Sequence, residues 1–335
     1  MILPTTYATA MLLTILSMIC WGSWANTFKL TKNWRFELFY FDFSFGVLLA
    51  ALIAAFTLGT MGDDLSFSDN LLIAGKRQMA YALIAGLIFN LANMLLVAAI
   101  SLAGLAVAFP VGIGLALVIG VIWNYIINPQ GNPFLIFSGV ALVLAAIVVD
   151  AFAYRAYSEE DGEITEDFHV KGVIIALVSG VLMGSFYPLV EMSRASEQGL
   201  GAYTVGFFFA LGVFFSTFIY NLYFMNLPVE GEPVGFGQYF RDGSVGKHIL
   251  GVSGGVLWCT GLLANVVAAS GTAKVGPAVS YAMGQGATLI SALWGLLVWK
   301  EFAGAEMRVK LLLTIMIVLF AAGLGLIAIA PLYLK

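Results

Sequence analysis

No Asp, Glu, Lys or Arg occurs between Gln78 and Val149, a run of about 72 residues. A helix crosses the hydrocarbon of a bilayer with about 20 apolar residues, so this run has the length of three spans. Turn signals divide it at Ser101–Gly104 and at Asn128-Pro129-Gln130-Gly131-Asn132-Pro133. The rest of the chain has the same character. Of its 335 residues 61% are hydrophobic and 10% charged, where soluble domains carry about 25% charged residues. A polytopic membrane protein is the class that fits.

Other classes fall away on composition. The net charge of -4 is too small and of the wrong sign for a nucleic-acid binder. Cys20 and Cys259 sit in apolar runs, which speaks against a disulfide framework. His169 and His248 have no Cys or His at ligand spacing, so no metal site and no cofactor are expected. No G-x-x-x-x-G-K-[ST] is present, and no connector is long enough for a nucleotide-binding domain. Neither a Ser/His nor a paired-Asp constellation lies within the spans, so catalysis is not expected. Met1–Phe28 lacks a basic leader, its first cation being Lys29, and reads as a retained first span.

Hydropathy places ten spans, at roughly 6–27, 37–60, 79–101, 104–127, 132–153, 171–191, 202–226, 247–270, 274–299 and 309–332. Ser158–Asp167 is an acidic connector between the fifth and sixth. Pro228–Lys247 is longer and carries Phe236 and Tyr239; a position on the membrane surface and a plain loop are both open.

The two halves resemble each other. Gly22-Ser23-Trp24 aligns with Gly184-Ser185-Phe186, and Gly86–Ser101 follows Gly255–Ser270 without a gap. Gly112-Ile-Gly114 parallels Gly284-Gln-Gly286. Five spans separate each pair, and an odd number turns the second copy over, as in the inverted repeats of many secondary transporters. The expected fold is all-α: a first five-helix repeat over 1–153, the connector over 154–170, and a second repeat over 171–335. Loops after odd-numbered spans hold Lys29, Lys32, Arg35, Arg155, Lys171, Arg241, Lys247, Lys300, Arg308 and Lys310, against Lys76, Arg77, Arg194, Lys274 and Lys335 on the other face. That bias puts both termini outside.

Within this frame, span 9 draws most notice. Gln285 lies between Gly284 and Gly286, four residues after Tyr281 and three before Thr288, giving one polar strip along a helix. An amide at that depth needs a partner or a wet cavity, and the flanking glycines are expected to open space beside it. Asn90 and Asn93 share a face of span 3, and Asn265 lies in the repeat-related span 8; interhelical bonding and solute contact are both open for these three. Amides donate and accept, which suits neutral polar solutes. Trp258 can stack on a planar solute or pack, and Trp24 and Tyr281 add rings to the same set. Pro110, Gly112 and Gly114 in span 4, Pro188 in span 6, and Pro277, Gly284 and Gly286 in span 9 mark kinks or gating points. Asp42, about five residues into span 2, reads either as a coupling proton site or as an interfacial residue at a helix N-terminus. Asp150 and Glu191 read as interfacial.

Several of these motifs, in order, resemble one group of carriers. Gly22-Ser23-Trp24 is similar to a first-span Gly-Thr-Trp, and Phe39-Tyr40-Phe41-Asp42-Phe43 with Leu58-Gly59 to a second helix. Ala202-Tyr203-Thr204, Phe207-Phe208-Phe209, Asn221, Pro228, Gly231, Pro233, Phe236 and Tyr239 follow a seventh span and its loop; Gln285, Ser291, Trp294-Gly295 and Lys300-Glu301 follow a ninth. The chain resembles the ten-span branch of the drug/metabolite transporter superfamily, most of all the ureide permeases, with glucose/ribose porters and rhamnose transporters as related branches. The resemblance implies a secondary carrier in the cell membrane for a neutral nitrogen-rich solute such as allantoin or uracil, with proton symport. A sugar is the alternative cargo, and a non-transporting receptor or scaffold the alternative class. It also implies cytoplasmic termini, against the Lys/Arg count. The expected mechanism is alternating access around a cavity lined by spans 1, 3, 4, 6, 8 and 9.

Overall fold

The structure is a computed structural model that describes residues 1–32, 34–62, 64–161, 170–228, 231–273 and 275–333. His169, Lys274, Lys335 and much of the acidic connector lie outside the described residues. Among those described, ten helices are long and apolar enough to cross a membrane: span 1 (Tyr7–Leu30), span 2 (Phe36–Phe56), span 3 (Lys76–Ala103), span 4 (Val107–Ile127), span 5 (Pro133–Glu159), span 6 (Val170–Arg194), span 7 (Ala202–Asn226), span 8 (Val245–Ala268), span 9 (Pro277–Trp299) and span 10 (Met307–Tyr333). No strand occurs among the described residues. The all-α polytopic fold is the one hydropathy predicts. Spans 3 and 5 run a turn or so beyond the apolar stretch, because nothing in Lys76-Arg77 or Arg155–Glu159 stops a helix once it reaches water.

Glycine and proline set the ends. Gly104 and Gly276 open spans 4 and 9 with nearly the same backbone, φ 74° and ψ 159° against φ 74° and ψ 157°. That left-handed region strains any residue with a β-carbon. Pro277 then takes the first helical position, where its missing N–H costs nothing. Span 9 is not one straight helix. It breaks at Gln285-Gly286 and widens to a π-helical turn over Trp294–Trp299. Pro110 and Pro188 lie inside the helices of spans 4 and 6, each removing one rung of the hydrogen-bond ladder.

Packing relies on small residues, since lipid offers no hydrophobic drive between helices. Span 8 packs on spans 1 and 2, span 3 on spans 6 and 7, span 9 on spans 1 and 4, and span 5 on span 10. A β-carbon at Gly255 would sit 1.9 Å from the Phe43 carbonyl oxygen, and one at Gly86 would sit 2.1 Å from that of Phe209. Gly46 meets Val252 as Gly212 meets Leu83. Gly22 lies on Ala287 and Ile290 as Gly184 lies on Ala116 and Ile119. Each contact therefore has a counterpart five spans further along. The segment after span 7 folds back onto the bundle: Val234 N–H donates to the Met225 carbonyl, Arg35 to that of Glu232, and a short helix, Gly237–Asp242, rests its Tyr239 ring on Phe41.

Candidate functional site

The middle of the bundle is aromatic. Trp258 of span 8 stacks on Phe89 at 4.1 Å, on Phe209 at 5.6 Å and on Trp21 at 5.9 Å between ring centroids. Trp21 also donates its indole N–H to the Trp258 carbonyl at 3.1 Å. Next to this stack, Tyr281 of span 9 faces Tyr187 of span 6 at 5.2 Å and donates its hydroxyl to the Ala116 carbonyl at 3.2 Å. Trp24 is half-buried against Phe43.

The expected amides divide into two kinds. Asn265 is fully buried and fully used: Nδ2 donates to Ser17 Oγ at 3.1 Å and to the Ser280 carbonyl at 2.8 Å, while Ser280 Oγ donates back to Oδ1 at 2.9 Å. This knot joins spans 1, 8 and 9. Asn90 ties span 3 to span 7 through Ser216 Oγ (2.8 Å), Thr217 Oγ1 (3.1 Å) and the Val213 carbonyl (3.2 Å), with its own Oδ1 left unbonded. Asn93 differs. Its Nδ2 donates to Tyr40 at 3.0 Å, and its Oδ1 accepts nothing among the described residues. Gln285 is half-buried at the break in span 9, and its side chain has no hydrogen-bond partner among the described residues.

The glycines beside Gln285 do not leave open space. A β-carbon on Gly284 would meet Trp21 at 2.6 Å and Asn265 at 2.8 Å, and one on Gly286 would meet Met18 at 2.4 Å. Their small size lets span 9 lie close against spans 1 and 8. The break at Gln285 also splits the polar strip. Tyr281 turns to spans 4 and 6, whereas Thr288 faces Phe109 and Pro110 of span 4 and Asp150 of span 5. In span 4, Gly112 and Gly114 take up the side chains of Leu96 and Leu144. Pro188 and Pro277 are buried.

Asp42, buried at 6% exposure, is not a lone carboxylate. Tyr239 donates to its Oδ1 at 2.5 Å, and His248 Nδ1 lies 2.7 Å from Oδ2. Trp34 stands edge-on to the His248 ring at 5.1 Å. Span 8 and the Gly237–Asp242 helix are thereby pinned to span 2. Nothing in the local sequence around Asp42 announces partners about 200 residues away.

Two further polar groups close opposite ends of the bundle. At one end Lys29 of span 1 pairs with Glu301, which follows span 9. Glu301 also accepts from Tyr154 of span 5 at 3.1 Å, while Trp299 donates to Asn26 at 2.6 Å. At the other end Glu191 of span 6 accepts from Asn128, which follows span 4, and from Arg194, both at 3.0 Å; Arg194 in turn reaches Ser270 at 2.7 Å. Glu191 and Asp150, read as interfacial, are both buried, at 6% and 7% exposure. Helix continuation carries the chain past the hydropathy boundary, so residues near the end of an apolar run lie inside the bundle.

The ureide permease family matches residues 39–171 and 162–330 of this chain. The chain belongs to that family. Ureide permease 2 of Arabidopsis thaliana is 23% identical over 391 aligned residues, covering 94% of this chain and 94% of the relative. Ureide permease 1 of the same plant is 21% identical, covering 93% and 94%. A solved crystal structure of another protein superposes with a TM-score of 0.61 at 18% identity, over 95% of this chain and 96% of that one, a likeness that concerns fold alone. Ten apolar helices and this family make the protein an integral membrane transporter. Of the polar groups just described, Glu301 was visible in the sequence only as part of a family motif. Asp150 carried one usable signal, its place at the edge of the charge-free run four residues before Tyr154.

Proposed function

We propose that this protein is a secondary carrier for small, planar, nitrogen-rich neutral solutes of the ureide type. Family membership along nearly the whole chain carries this reading, because the family is described by that cargo. The chemistry of the centre agrees with it. Gln285 and Asn93 keep hydrogen-bonding capacity unspent and Trp24 is half-buried, whereas the rings of Trp258 and Tyr281 are already packed against aromatic neighbours. Asn90 and Asn265 hold the bundle together around that place. Thr288 adds a hydroxyl on the far side of the break in span 9.

Transport proceeds by alternating access between two inverted five-span repeats. Support comes from the contacts that recur five spans apart, and from the two polar closures at opposite ends. Opening the Lys29–Glu301 end exposes the centre to one face, and opening the Glu191–Arg194 end exposes it to the other. A carrier must do these in turn, and each opening requires only a few kcal/mol of differential binding to drive it. Proton symport supplies the driving force, and the cell membrane is the site of action. The Lys/Arg excess after odd-numbered spans favours the cytoplasm for the face that bears Lys29 and Glu301.

Reconstituted protein in proteoliposomes tests the reading. With an inward proton gradient, radiolabelled allantoin should accumulate, uracil should compete, and glucose should not. Gln285→Ala should abolish uptake while the protein stays folded. Accumulation of glucose with no effect of ureides or nucleobases overturns the assignment in favour of a sugar carrier, and binding of allantoin with no uptake favours a receptor.

A further inference from the structure

Between spans 4, 5 and 9 lies a cavity of about 50 Å³, lined by Phe109, Pro110, Asp150, Tyr154, Thr288 and Ser291. It is too small for the solute, since sites for ring-sized ligands run from about 300 Å³. A water needs about 10–15 Å³, so the cavity has room for a few waters. Asp150 is 7% exposed, and its Oδ1 is buried with no hydrogen-bond partner. Nine helical steps, about 13 Å, lie between it and Glu159 at the end of span 5.

Among the described residues, no cation stands near enough to hold this carboxyl ionised. Span 4 presents Phe109 and Pro110, and span 9 presents Thr288, Ser291 and Ala292. Span 10, packed along span 5, carries Arg308 and Lys310 only in its first turn. On span 5 itself, Arg155 points to Glu159. Tyr154 donates to Glu301, whose own negative charge is met by Lys29. An unpaired carboxylate in such surroundings costs several kcal/mol, while the neutral acid costs far less. Asp42 is the opposite case, with a partner on each oxygen.

We propose that Asp150 is the proton-binding carboxyl of the transport cycle, with the hydroxyls of Thr288 and Ser291 and the waters of the cavity as its proton path. The proposal rests on the carrier reading above. One proton from water on one face adds to a carboxylate oxygen of Asp150, and the same proton leaves to water on the other face; no other bond changes. The position fits coupling because the cavity wall includes the broken span 9, three and six residues beyond Gln285, and because Tyr154 joins it to the Lys29–Glu301 closure. Proton uptake removes the negative charge that span 5 presents to a movable helix.

Two measurements on the full-length protein in lipid decide the matter. Dicyclohexylcarbodiimide adds to protonated carboxyls in apolar sites, and peptide mass spectrometry locates the adduct. Asp150 should be labelled, with the label lost from mildly acidic to mildly alkaline pH. No label on Asp150, or a label indifferent to pH, overturns the proposal. In proteoliposomes, Asp150→Asn should lose allantoin accumulation against a gradient, and whatever exchange remains should no longer respond to pH. Undiminished gradient-driven accumulation by that variant also overturns it. If wild-type protein takes up no allantoin while Asp150 still titrates by labelling, the solute assignment fails and the proton site stands.

Discussion

Gly139 of span 5 and Gly323 of span 10 lie face to face. A β-carbon on Gly139 would sit 2.7 Å from the Gly323 carbonyl oxygen, and one on Gly323 would sit 2.8 Å from that of Gly139. Each glycine also meets the residue four places past the other, Ile327 for Gly139 and Val143 for Gly323. The contact between spans 5 and 10 is thus reciprocal.

The first prediction follows from that closeness. Gly139→Ala and Gly323→Ala each put a methyl where a carbonyl oxygen already lies, so the two spans must separate. Overpacking of this kind costs about 1–3 kcal/mol. Because the contact is reciprocal, the two losses should be alike. Thermal unfolding in detergent measures both, and an unchanged midpoint for either variant contradicts the close approach.

Asn265 should prove to be a structural residue. Both polar atoms of its side chain are bonded within the protein, to Ser17, to the Ser280 carbonyl and to Ser280 Oγ. Asn265→Ala leaves the Ser280 groups short of partners at a buried site, a loss of about 1–3 kcal/mol. Stability should fall by that amount while the KM for solute in folded protein stays near wild type. A large rise in KM with no loss of stability would place the solute on Asn265.

How much of this could be read from the chain alone varies with the physics involved. The ten spans were legible because hydrocarbon thickness imposes one length on every crossing helix, and the 72-residue uncharged run could be nothing else. The recurring glycines were legible too, since Gly86 and Gly255 occupy the same step of similar segments. What those glycines touch was not. Gly284 and Gly286 read as space beside Gln285, yet Trp21 and Met18 fill it, because a gap on one helix invites a side chain from another. Asp42 read as solitary for a related reason: Tyr239 and His248 reach it from about 200 residues away, and no local pattern encodes that distance. Asn90 and Asn265 left two readings open until their partners on spans 1, 7 and 9 were in view.

The two closures should differ sharply in strength. Lys29 and Glu301 are 44% and 32% exposed at their side chains, whereas Arg194 and Glu191 are 15% and 7% exposed. An exposed pair contributes about 0–1 kcal/mol, but removing one partner of a buried pair costs about 3–5 kcal/mol. Glu301→Gln should therefore leave the unfolding midpoint almost unchanged while raising the reactivity of a cysteine placed at Ser23 toward a water-soluble maleimide. Glu191→Gln should lower the midpoint markedly. Equal effects on stability would mean that the closures are equally buried in the membrane, contrary to this arrangement.

Alkaline pH should loosen the segment after span 7 through Tyr239. Burial pushes the Tyr239 phenol up from its ordinary value, and the hydrogen bond to the Asp42 carboxylate and the charge of that carboxylate push it further. A group raised in the folded state contributes its full stability below its unfolded value, about 10. That contribution declines as pH climbs from there toward the folded value, since the unfolded chain sheds its proton first. At neutral pH, Tyr239→Phe should cost about 1.5–3 kcal/mol for a hydrogen bond to a charged group. The gap between wild type and variant should then hold steady up to about pH 9 and narrow as pH rises from about 10 to about 11. Thermal unfolding of both proteins across that range measures it. A gap that stays constant would show that Tyr239 titrates no differently in the folded protein than in the unfolded chain, and the Tyr239–Asp42 bond would then be absent in solution.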